Sequence, residues 1–193
     1  MSAQLQPIAS PARNFLRLVY GIDPSRVLGR LAGMPQLWQQ VTMRQNYEGS
    51  AHRDTETIFL RAPERIQDVL NVIESVEMPE MQALEMSEII DALCKKIGIR
   101  DLGRVMLVKL KPKGVIKPHT DEGAYARYFA RFHCVLSTSP GCMFHAGGDA
   151  VHMQAGEVWW FNHRVQHEVR NGDAERIHLI FDGCAPGFTG ALS

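Results

Sequence analysis

Three side chains of metal-ligand type, His119, Asp121 and His167, carry the chemistry that the sequence suggests most directly. His119 and Asp121 are two residues apart, and alternate side chains of a β-strand leave the same face of the sheet. A second strand could bring His167 to the same point. Two imidazoles and one carboxylate on one side of a metal, with the other side open, are typical of non-haem Fe(II) oxygenases. We predict this metal site against the alternative of ordinary turn, loop-cap and hairpin residues.

Histidine is concentrated in the second half of the chain, which holds seven of the eight histidines. One of them, His163, is a rival ligand four residues before His167. We prefer His167 because Val165 and Val169, two residues away on either side, predict a strand face that turns towards the core. His178 is a candidate to face the same pocket.

A second His-x-Asp pattern, His52-Arg53-Asp54, lies outside this histidine-rich half, in a polar stretch before a predicted strand. A lone pattern of this kind occurs by chance, so we interpret it from where it lies relative to the predicted strands. We expect the metal at His119 and Asp121, and we expect His52 and Asp54 at most to line a substrate entrance.

Two arginines are candidates to bind an organic anion beside the metal. Three protein ligands leave coordination positions open, and a dicarboxylate such as 2-oxoglutarate could occupy them through its keto acid end. Its far carboxylate would then need a bidentate cation, for which arginine is better suited than lysine. Arg176 lies nine residues after His167, across the turn at Asn171-Gly172-Asp173. Arg131, which shares a strand face with His133, could meet the near carboxylate or the substrate.

The elements that must position these residues are predicted to be mainly strands. After Gly98 short apolar stretches alternate with turn residues, which predicts about eight strands of an all-β sandwich or jelly roll. The predicted strands are Arg104–Lys111, Val115–His119, Phe129–Thr138, Cys142–Ala146, Ala150–Gln154, Val158–Asn162, Val165–Arg170 and Arg176–Asp182.

The part before Gly98 is predicted to be mostly helical, with one strand and a loose arm at residues 1–13. The predicted elements are helices at Ser25–Leu31, Pro63–Ser75 and Pro79–Ile97 and a strand at Thr55–Arg61. We expect residues 1–193 to form one domain, in which residues 1–100 pack on a jelly-roll catalytic core at residues 101–184.

The composition gives no sign of a nucleic-acid or membrane partner. Lysine plus arginine and aspartate plus glutamate number 21 each, so the formal net charge is zero. No apolar run is long enough to cross a bilayer, and the N-terminus has no basic region or apolar signal core. The four cysteines form no Cys-x-x-Cys pair and are expected to be free thiols in a reducing cytoplasm.

Five short motifs follow one another in a fixed order between Val108 and Asp182. They are Leu110-x-Pro112-x-Gly114-x-Ile116-x-Pro118-His119, Arg131-Phe132-His133, Gly156-Glu157-Val158-x-x-Phe161-Asn162, His167-Glu168-Val169 and Arg176-Ile177-His178-Leu179-Ile180-Phe181-Asp182. In this order and spacing the run, somewhat under half of the chain, resembles the aspartyl/asparaginyl β-hydroxylase family of Fe(II)- and 2-oxoglutarate-dependent dioxygenases.

The resemblance implies a double-stranded β-helix, that is, a jelly-roll or cupin-like barrel. It implies His119 and His167 as iron ligands, Arg176 as the anchor of the far 2-oxoglutarate carboxylate, and Arg131 and His133 as pocket residues that bind 2-oxoglutarate. Animal members that act on growth-factor-like domains lack the carboxylate ligand. Since Asp121 is present here, the site is similar to that of bacterial members that hydroxylate free amino acids such as proline.

We therefore expect an Fe(II)-, 2-oxoglutarate- and O2-dependent hydroxylase acting on an unactivated C–H of a small substrate, an amino acid or an amino-acid side chain. Segment 122–128 is a candidate lid, and its Tyr125, Arg127 and Tyr128 are candidate substrate contacts, as is Asn162. Ordinary exposed loop residues are the alternative. Two rival functions stay open, a cupin-type metalloenzyme that does not use 2-oxoglutarate and a non-catalytic small-molecule-binding jelly roll.

Overall fold

Strands make up most of the secondary structure in the computed structural model, which describes residues 14–46, 48–68 and 73–188. The strands are β1 Phe15–Val19, β2 Thr55–Ala62, β3 Val76–Glu77, β4 Asp101–Leu110, β5 Val115–His119, β6 Ala130–Ser137, β7 Met143–Ala146, β8 Asp149–Val151, β9 Val158–Phe161, β10 His167–Arg170 and β11 Arg176–Cys184. The α-helices are α1 Ser25–Gly33, α2 Met43–Asn46, α3 Pro79–Ala83, α4 Ser87–Ile97 and α5 Gly123–Tyr128, and short 3-10 helices lie at Pro35–Gln39 and Ile66–Asp68.

The strands form two antiparallel sheets that confirm the predicted jelly-roll fold. The large sheet has the order β1-β9-β6-β11-β4-β2-β3, and the small sheet has the order β5-β10-β7-β8. Apolar side chains from both sheets, among them Phe15, Val135, Phe144, Phe161 and Val169, form one buried cluster inside the barrel. The barrel interior is therefore a packed core that must surround any site within it.

The helices of the N-terminal part cover the other face of the large sheet. Val27 and Leu31 of α1 and Leu93 of α4 belong to one buried cluster with Phe132 of β6 and Phe181 of β11. Because side chains alternate along a strand, β6 and β11 send their other residues into the barrel. That alternation places polar residues of these two strands inside, beside the metal ligands described below.

Several predicted elements differ from the observed ones. The predicted helix Pro79–Ile97 is interrupted between α3 and α4, where Glu85 has a left-handed φ of 48°. The predicted helix Pro63–Ser75 contains only the 3-10 turn at Ile66–Asp68 among its described residues, and Val69 and Leu70 lie outside them.

Two further differences concern strands and the candidate lid. β1 was not predicted, yet it pairs with β9 at the edge of the large sheet, with Phe15 opposite Phe161. Together with β2, which pairs with β4, it makes the first hundred residues part of the sheet as well as its helical cover. The predicted loop at 122–128 is largely the helix α5. The predicted loose arm at residues 1–13 lies outside the described residues.

Among the described residues, no helix is both long enough and apolar enough to span a membrane.

Candidate metal and cosubstrate site

The three predicted metal ligands lie together at one end of the small sheet. β5 ends at His119 and β10 begins at His167, and the antiparallel register places these two residues directly opposite each other. Their ring centroids are 4.2 Å apart. Asp121 follows β5 by two residues, and one ligand atom from each of the three side chains lies within 4.8 Å of the others. The rival His163 is not part of this group, because its Nε2 donates to the carbonyl of Ala126 at 3.0 Å.

Backbone carbonyl groups orient both imidazoles. His119 Nδ1 is 2.8 Å from the carbonyl oxygen of Lys117, and His167 Nδ1 is 3.0 Å from that of Val165. A carbonyl oxygen can only accept, so each Nδ1 carries the proton and each Nε2 keeps its lone pair. Such a bond from the second ring nitrogen is the usual way in which a protein fixes a metal-binding histidine.

The protonation states also suit a metal. Burial would raise the pKa of Asp121, but the Arg131 guanidinium and the neighbouring histidines lower that pKa well below its usual range. Burial lowers the pKa of His167 to about 4. An ionised carboxylate and a neutral imidazole are the forms that bind a divalent cation, so these residues fit Fe(II).

Arg131 links the candidate metal ligand Asp121 to the buried carboxylate of Asp182. Its Nη1 donates to Asp121 at 2.6 Å, and its Nε and Nη2 donate to the two oxygens of Asp182 at 2.8 and 3.0 Å. Arg131 and Asp182 are directly opposite each other in the β6–β11 pair. Three of the five guanidinium N–H groups are thus used within the protein. The expected contact of Arg131 with a cosubstrate or substrate carboxylate stays a prediction.

Arg176 is a buried cation without an acidic neighbour. Only 3% of it is exposed, and its guanidinium contacts His178 and the ring of Phe144, whose centroid is 5.9 Å from Cζ. No carboxylate of the described residues lies within ion-pair distance, and burial lowers the pKa of Arg176 to about 10. An unpaired buried charge is costly, so the site suits an anion. These donors fit the far carboxylate of 2-oxoglutarate.

His133 is buried between the two ends of the site. It lies two residues after Arg131 on β6, and its Nδ1 is 3.1 Å from Nδ1 of His178. Its ring centroid is 5.1 Å from that of Phe161, which is itself 5.1 Å from that of His167. His133 Nε2 is buried and has no hydrogen-bond partner among the described residues.

A cavity of about 430 Å³ lies beside His119 and Asp121 and is lined in part by residues of the N-terminal segments. Its lining residues are Met43, Arg44, Gly49, Ala51, His52, Phe59, Arg104, Met106, Lys117, Pro118, His119, Thr120, Asp121, Glu122, Tyr125, Ala126, Phe129, Arg131, His163 and Asp182. Apolar, cationic and acidic groups therefore share its wall.

Of the four predicted substrate contacts, Tyr125 alone lines this cavity. The Tyr128 hydroxyl donates to Asp101 at 2.9 Å on the surface, and the Asn162 amide donates to Asn14 at 3.2 Å. Arg127 also lies outside the lining. The helical form of residues 123–128 explains this difference, because successive helical side chains spread around the axis and cannot all face one cavity.

Sequence reasoning missed two parts of the site. Asp182 ends the last matching motif, but only the register of β6 and β11 shows that it clamps Arg131. His52 lines the cavity, but Asp54, which was expected with it at a substrate entrance, does not. The His52 ring centroid is 4.9 Å from that of His119. Its partner Arg44, with Nη2 3.1 Å from His52 Nε2, has no sequence signal of its own.

Comparison with protein families agrees with this geometry. The family model for aspartyl/asparaginyl β-hydroxylases matches residues 34–186. The chain belongs to the aspartyl/asparaginyl β-hydroxylase family. This is a family of Fe(II)- and 2-oxoglutarate-dependent hydroxylases that use O2, and the partly buried group of His119, Asp121 and His167 could hold such a metal.

Individual relatives of this hydroxylase family member are distant. The L-proline cis-4-hydroxylase of Rhizobium meliloti (strain 1021) is 30% identical over 83 residues, which are 42% of this chain and 30% of that protein. The matched segment thus spans less than a third of that relative.

Two solved structures share the fold. One is a prolyl hydroxylase from Trichoplax adhaerens in complex with a hypoxia inducible factor oxygen degradation domain peptide fragment, with a TM-score of 0.55 and 14% identity over 88% of this chain and 81% of that one. The other is a Pseudomonas putida prolyl-4-hydroxylase, with a TM-score of 0.50 and 15% identity over 90% and 94% of the two chains.

Proposed function

We propose that the protein is an Fe(II)- and 2-oxoglutarate-dependent dioxygenase that hydroxylates an unactivated C–H bond of a free amino acid or an amino-acid side chain. The observation that carries this proposal is the His119, Asp121 and His167 group, with its ligand atoms within 4.8 Å of one another inside a jelly roll of this family. The 430 Å³ cavity beside it has room for an amino-acid-sized substrate.

The proposed roles follow from the contacts. His119, Asp121 and His167 would hold Fe(II), and Arg176 would bind the far carboxylate of 2-oxoglutarate, with Arg131 and His133 nearer the metal. When bound, iron and 2-oxoglutarate supply the oxidising chemistry, in which O2 is consumed, 2-oxoglutarate becomes succinate and CO2, and the substrate gains a hydroxyl group.

The protein's own contribution is geometry and exclusion of water. The carbonyls of Lys117 and Val165 hold the two imidazoles, and Arg131 holds Asp121. Tyr125 is not one of the proposed metal ligands. It packs in the cavity wall, where its hydroxyl accepts a hydrogen bond from the backbone N–H of Arg104 at 2.7 Å. A preorganised ligand set of this kind would hold the metal without reorganisation of the protein.

The substrate class rests on the relatives, which are named as proline and prolyl hydroxylases. The presence of Asp121 supports a likeness to members that act on free amino acids. We also propose that the chain forms a single domain, since β1 and β2 hydrogen-bond directly to barrel strands. Four free cysteines support a reducing compartment, the cytoplasm.

The test is aerobic turnover of the Fe(II)-loaded protein with 2-oxoglutarate and a panel of free amino acids that includes proline. The expected result is succinate release coupled to a product heavier by one oxygen atom taken from labelled O2. His167→Ala should abolish both, and His145→Ala, a histidine change on β7 outside the site, should abolish neither. A product that forms equally well without 2-oxoglutarate would favour the cupin-type rival. A protein that binds amino acids without converting any would favour the binding module.

A further inference from the structure

We propose that His178 is a positioning residue for the cosubstrate end of the site, where it holds the Arg176 guanidinium in place without neutralising it and connects it to His133. Because this inference rests on the proposed function, it assigns His178 a part in 2-oxoglutarate binding and none in metal binding.

The strand order brings the three residues together inside the barrel. Arg176 and His178 are two residues apart on β11 and share a face, while Leu179 and Phe181 of the same strand pack against the helices. His133 comes from the neighbouring strand β6. Arg176, His178 and His133 are 3%, 2% and 4% exposed, so each depends on protein groups for its hydrogen bonds.

His178 is the hydrogen-bonding side chain at the Arg176 guanidinium among the described residues. Arg176 Nε donates to His178 Nε2 at 2.9 Å, and Arg176 Nη2 is 2.7 Å from His178 Nδ1. A guanidinium can only donate, so the imidazole must be neutral to accept. Burial and the adjacent Arg176 lower the pKa of His178 well below its ordinary value, in agreement with that neutral form.

A neutral partner has a consequence that an acidic one would not have. A carboxylate in the place of His178 would fix Arg176 but would also cancel its charge, and an incoming carboxylate would then find no net attraction. An imidazole supplies the orientation and leaves the charge available. This combination explains why a buried arginine is held here without an acid in contact with it.

The same imidazole lies against His133. His178 Nδ1 is 3.1 Å from His133 Nδ1, so the two rings are within hydrogen-bond distance of each other. The other ring nitrogen of His133, Nε2, is buried and has no hydrogen-bond partner among the described residues. A buried polar atom without a partner is unfavourable, so a ligand group is expected beside His133.

The experiment measures cosubstrate binding apart from turnover. Anaerobic Fe(II)-loaded protein is titrated calorimetrically with 2-oxoglutarate and with its shorter and longer homologues, oxaloacetate and 2-oxoadipate. His178→Phe keeps a ring but offers no polar atom, whereas His178→Gln keeps an acceptor and a donor. Arg176→Ala reports on the anchor itself, and His145→Phe is the matched control outside the site. Fe(II) affinity and thermal unfolding are measured for every variant.

We expect His178→Phe to weaken 2-oxoglutarate binding by about tenfold or more, the size of a lost hydrogen bond to a charged group. We also expect His178→Phe to reduce the preference for 2-oxoglutarate over the two homologues. A displaced Arg176 guanidinium would no longer be held at the distance that matches the far carboxylate of 2-oxoglutarate. Fe(II) affinity should stay at the wild-type value. His178→Gln should bind 2-oxoglutarate within about threefold of wild type.

The two proposals fail in different ways. Wild-type affinity and chain-length preference in folded His178→Phe, with binding lost in Arg176→Ala, would overturn the role of His178 and leave the proposed function intact. Equal 2-oxoglutarate binding by wild type and Arg176→Ala, or no binding by wild type, would overturn the anchor and the role of His178 with it. If His178→Phe does not fold, His178→Met takes its place. Equal 2-oxoglutarate affinity and equal chain-length preference in His178→Met and His178→Gln would then overturn the role of His178.

Discussion

The two ends of the site differ in how their buried charges are paired. At the metal end, Asp121 and Asp182 are both paired with Arg131, so the charged groups already have partners within the protein. At the other end, Arg176 is only 3% exposed and is held by the neutral His178. The end whose charged residues are already ion-paired can keep its geometry before a ligand binds. The end with an unpaired cation is stabilised most by binding an anion. The difference supports the proposal that the metal binds at the first end and the cosubstrate carboxylate at the second.

The largest effect is expected from a change of a metal ligand. His167→Ala removes one of three ligands, and even changes in groups behind a ligand cost about 10–100-fold in metal affinity. We expect Fe(II) affinity to fall by more than about 100-fold and turnover to become undetectable. Equilibrium dialysis against Fe(II) under anaerobic conditions measures the first. Near-normal Fe(II) binding would mean that the metal lies elsewhere.

Arg176→Met should separate the two ends of the site. Breaking a buried ion pair costs about 3–5 kcal/mol, so we expect 2-oxoglutarate affinity to fall by about 100-fold or more while Fe(II) affinity is unchanged. The free energy of unfolding without ligand should change little, because removal of a desolvated cation offsets the lost hydrogen bond to His178. Calorimetry and denaturant unfolding test the two statements. A strongly destabilised variant would show that Arg176 is a structural residue.

Asp182→Asn should lower stability and Fe(II) affinity, both of which Arg176→Met should leave nearly unchanged. The change weakens the ion pair with Arg131, so we expect the free energy of unfolding to fall by about 3 kcal/mol. We expect Fe(II) affinity to fall by about 10–100-fold, because Asp121 loses its fixed orientation. The matched control is Asp173→Asn, whose carboxylate is 90% exposed and should give wild-type values. Unchanged Fe(II) affinity in Asp182→Asn would remove Asp182 from the account of the metal end.

The smallest expected effect is on the pH dependence of stability. The pKa of His178 lies well below its usual 6.5 because burial disfavours the charged form. As pH falls below about 6.5, the unfolded chain takes up a proton that the fold excludes, so stability present at neutral pH is lost. His178→Phe should reduce this loss by up to about 1.4 kcal/mol per pH unit, and His145→Phe is the control. Unfolding curves between pH 7 and 5 with equal slopes for wild type and His178→Phe would contradict this.

The grouping of His119, Asp121 and His167 could be predicted from the sequence, because the residue types and the His-x-Asp spacing mark them. Strand alternation does not join His119 to Asp121, since β5 ends at His119 and Asp121 lies two residues beyond it. The turn before Arg176 follows from Asn171-Gly172-Asp173. Pairings between distant strands could not be predicted in the same way. The clamp between Arg131 and Asp182 depends on the β6–β11 register, and β1 joins β9 from more than 130 residues away.

The helical errors have a similar cause. The apolar spacing within Pro79–Ile97 fits a helix throughout, but the chain breaks at Glu85 so that α3 and α4 can both pack on the large sheet. Segment 122–128 has no strong apolar period, and its burial of Tyr125 and Ala126 under the barrel rim is set by tertiary contacts. The local sequence pattern was therefore enough to predict the candidate ligands and most strands. Tertiary packing determines which residues of segment 122–128 reach the cavity.

One jelly-roll site is proposed to bind Fe(II) at His119, Asp121 and His167 and 2-oxoglutarate at Arg176. An anaerobic titration of metal-free protein, first with Fe(II) and then with 2-oxoglutarate, tests this proposal through the visible charge-transfer band of the chelate. We expect a band in wild type that is absent in His119→Ala and weakened in Arg176→Ala. Iron binding without a band would contradict the assignment of 2-oxoglutarate, and no iron binding would contradict the metal centre itself.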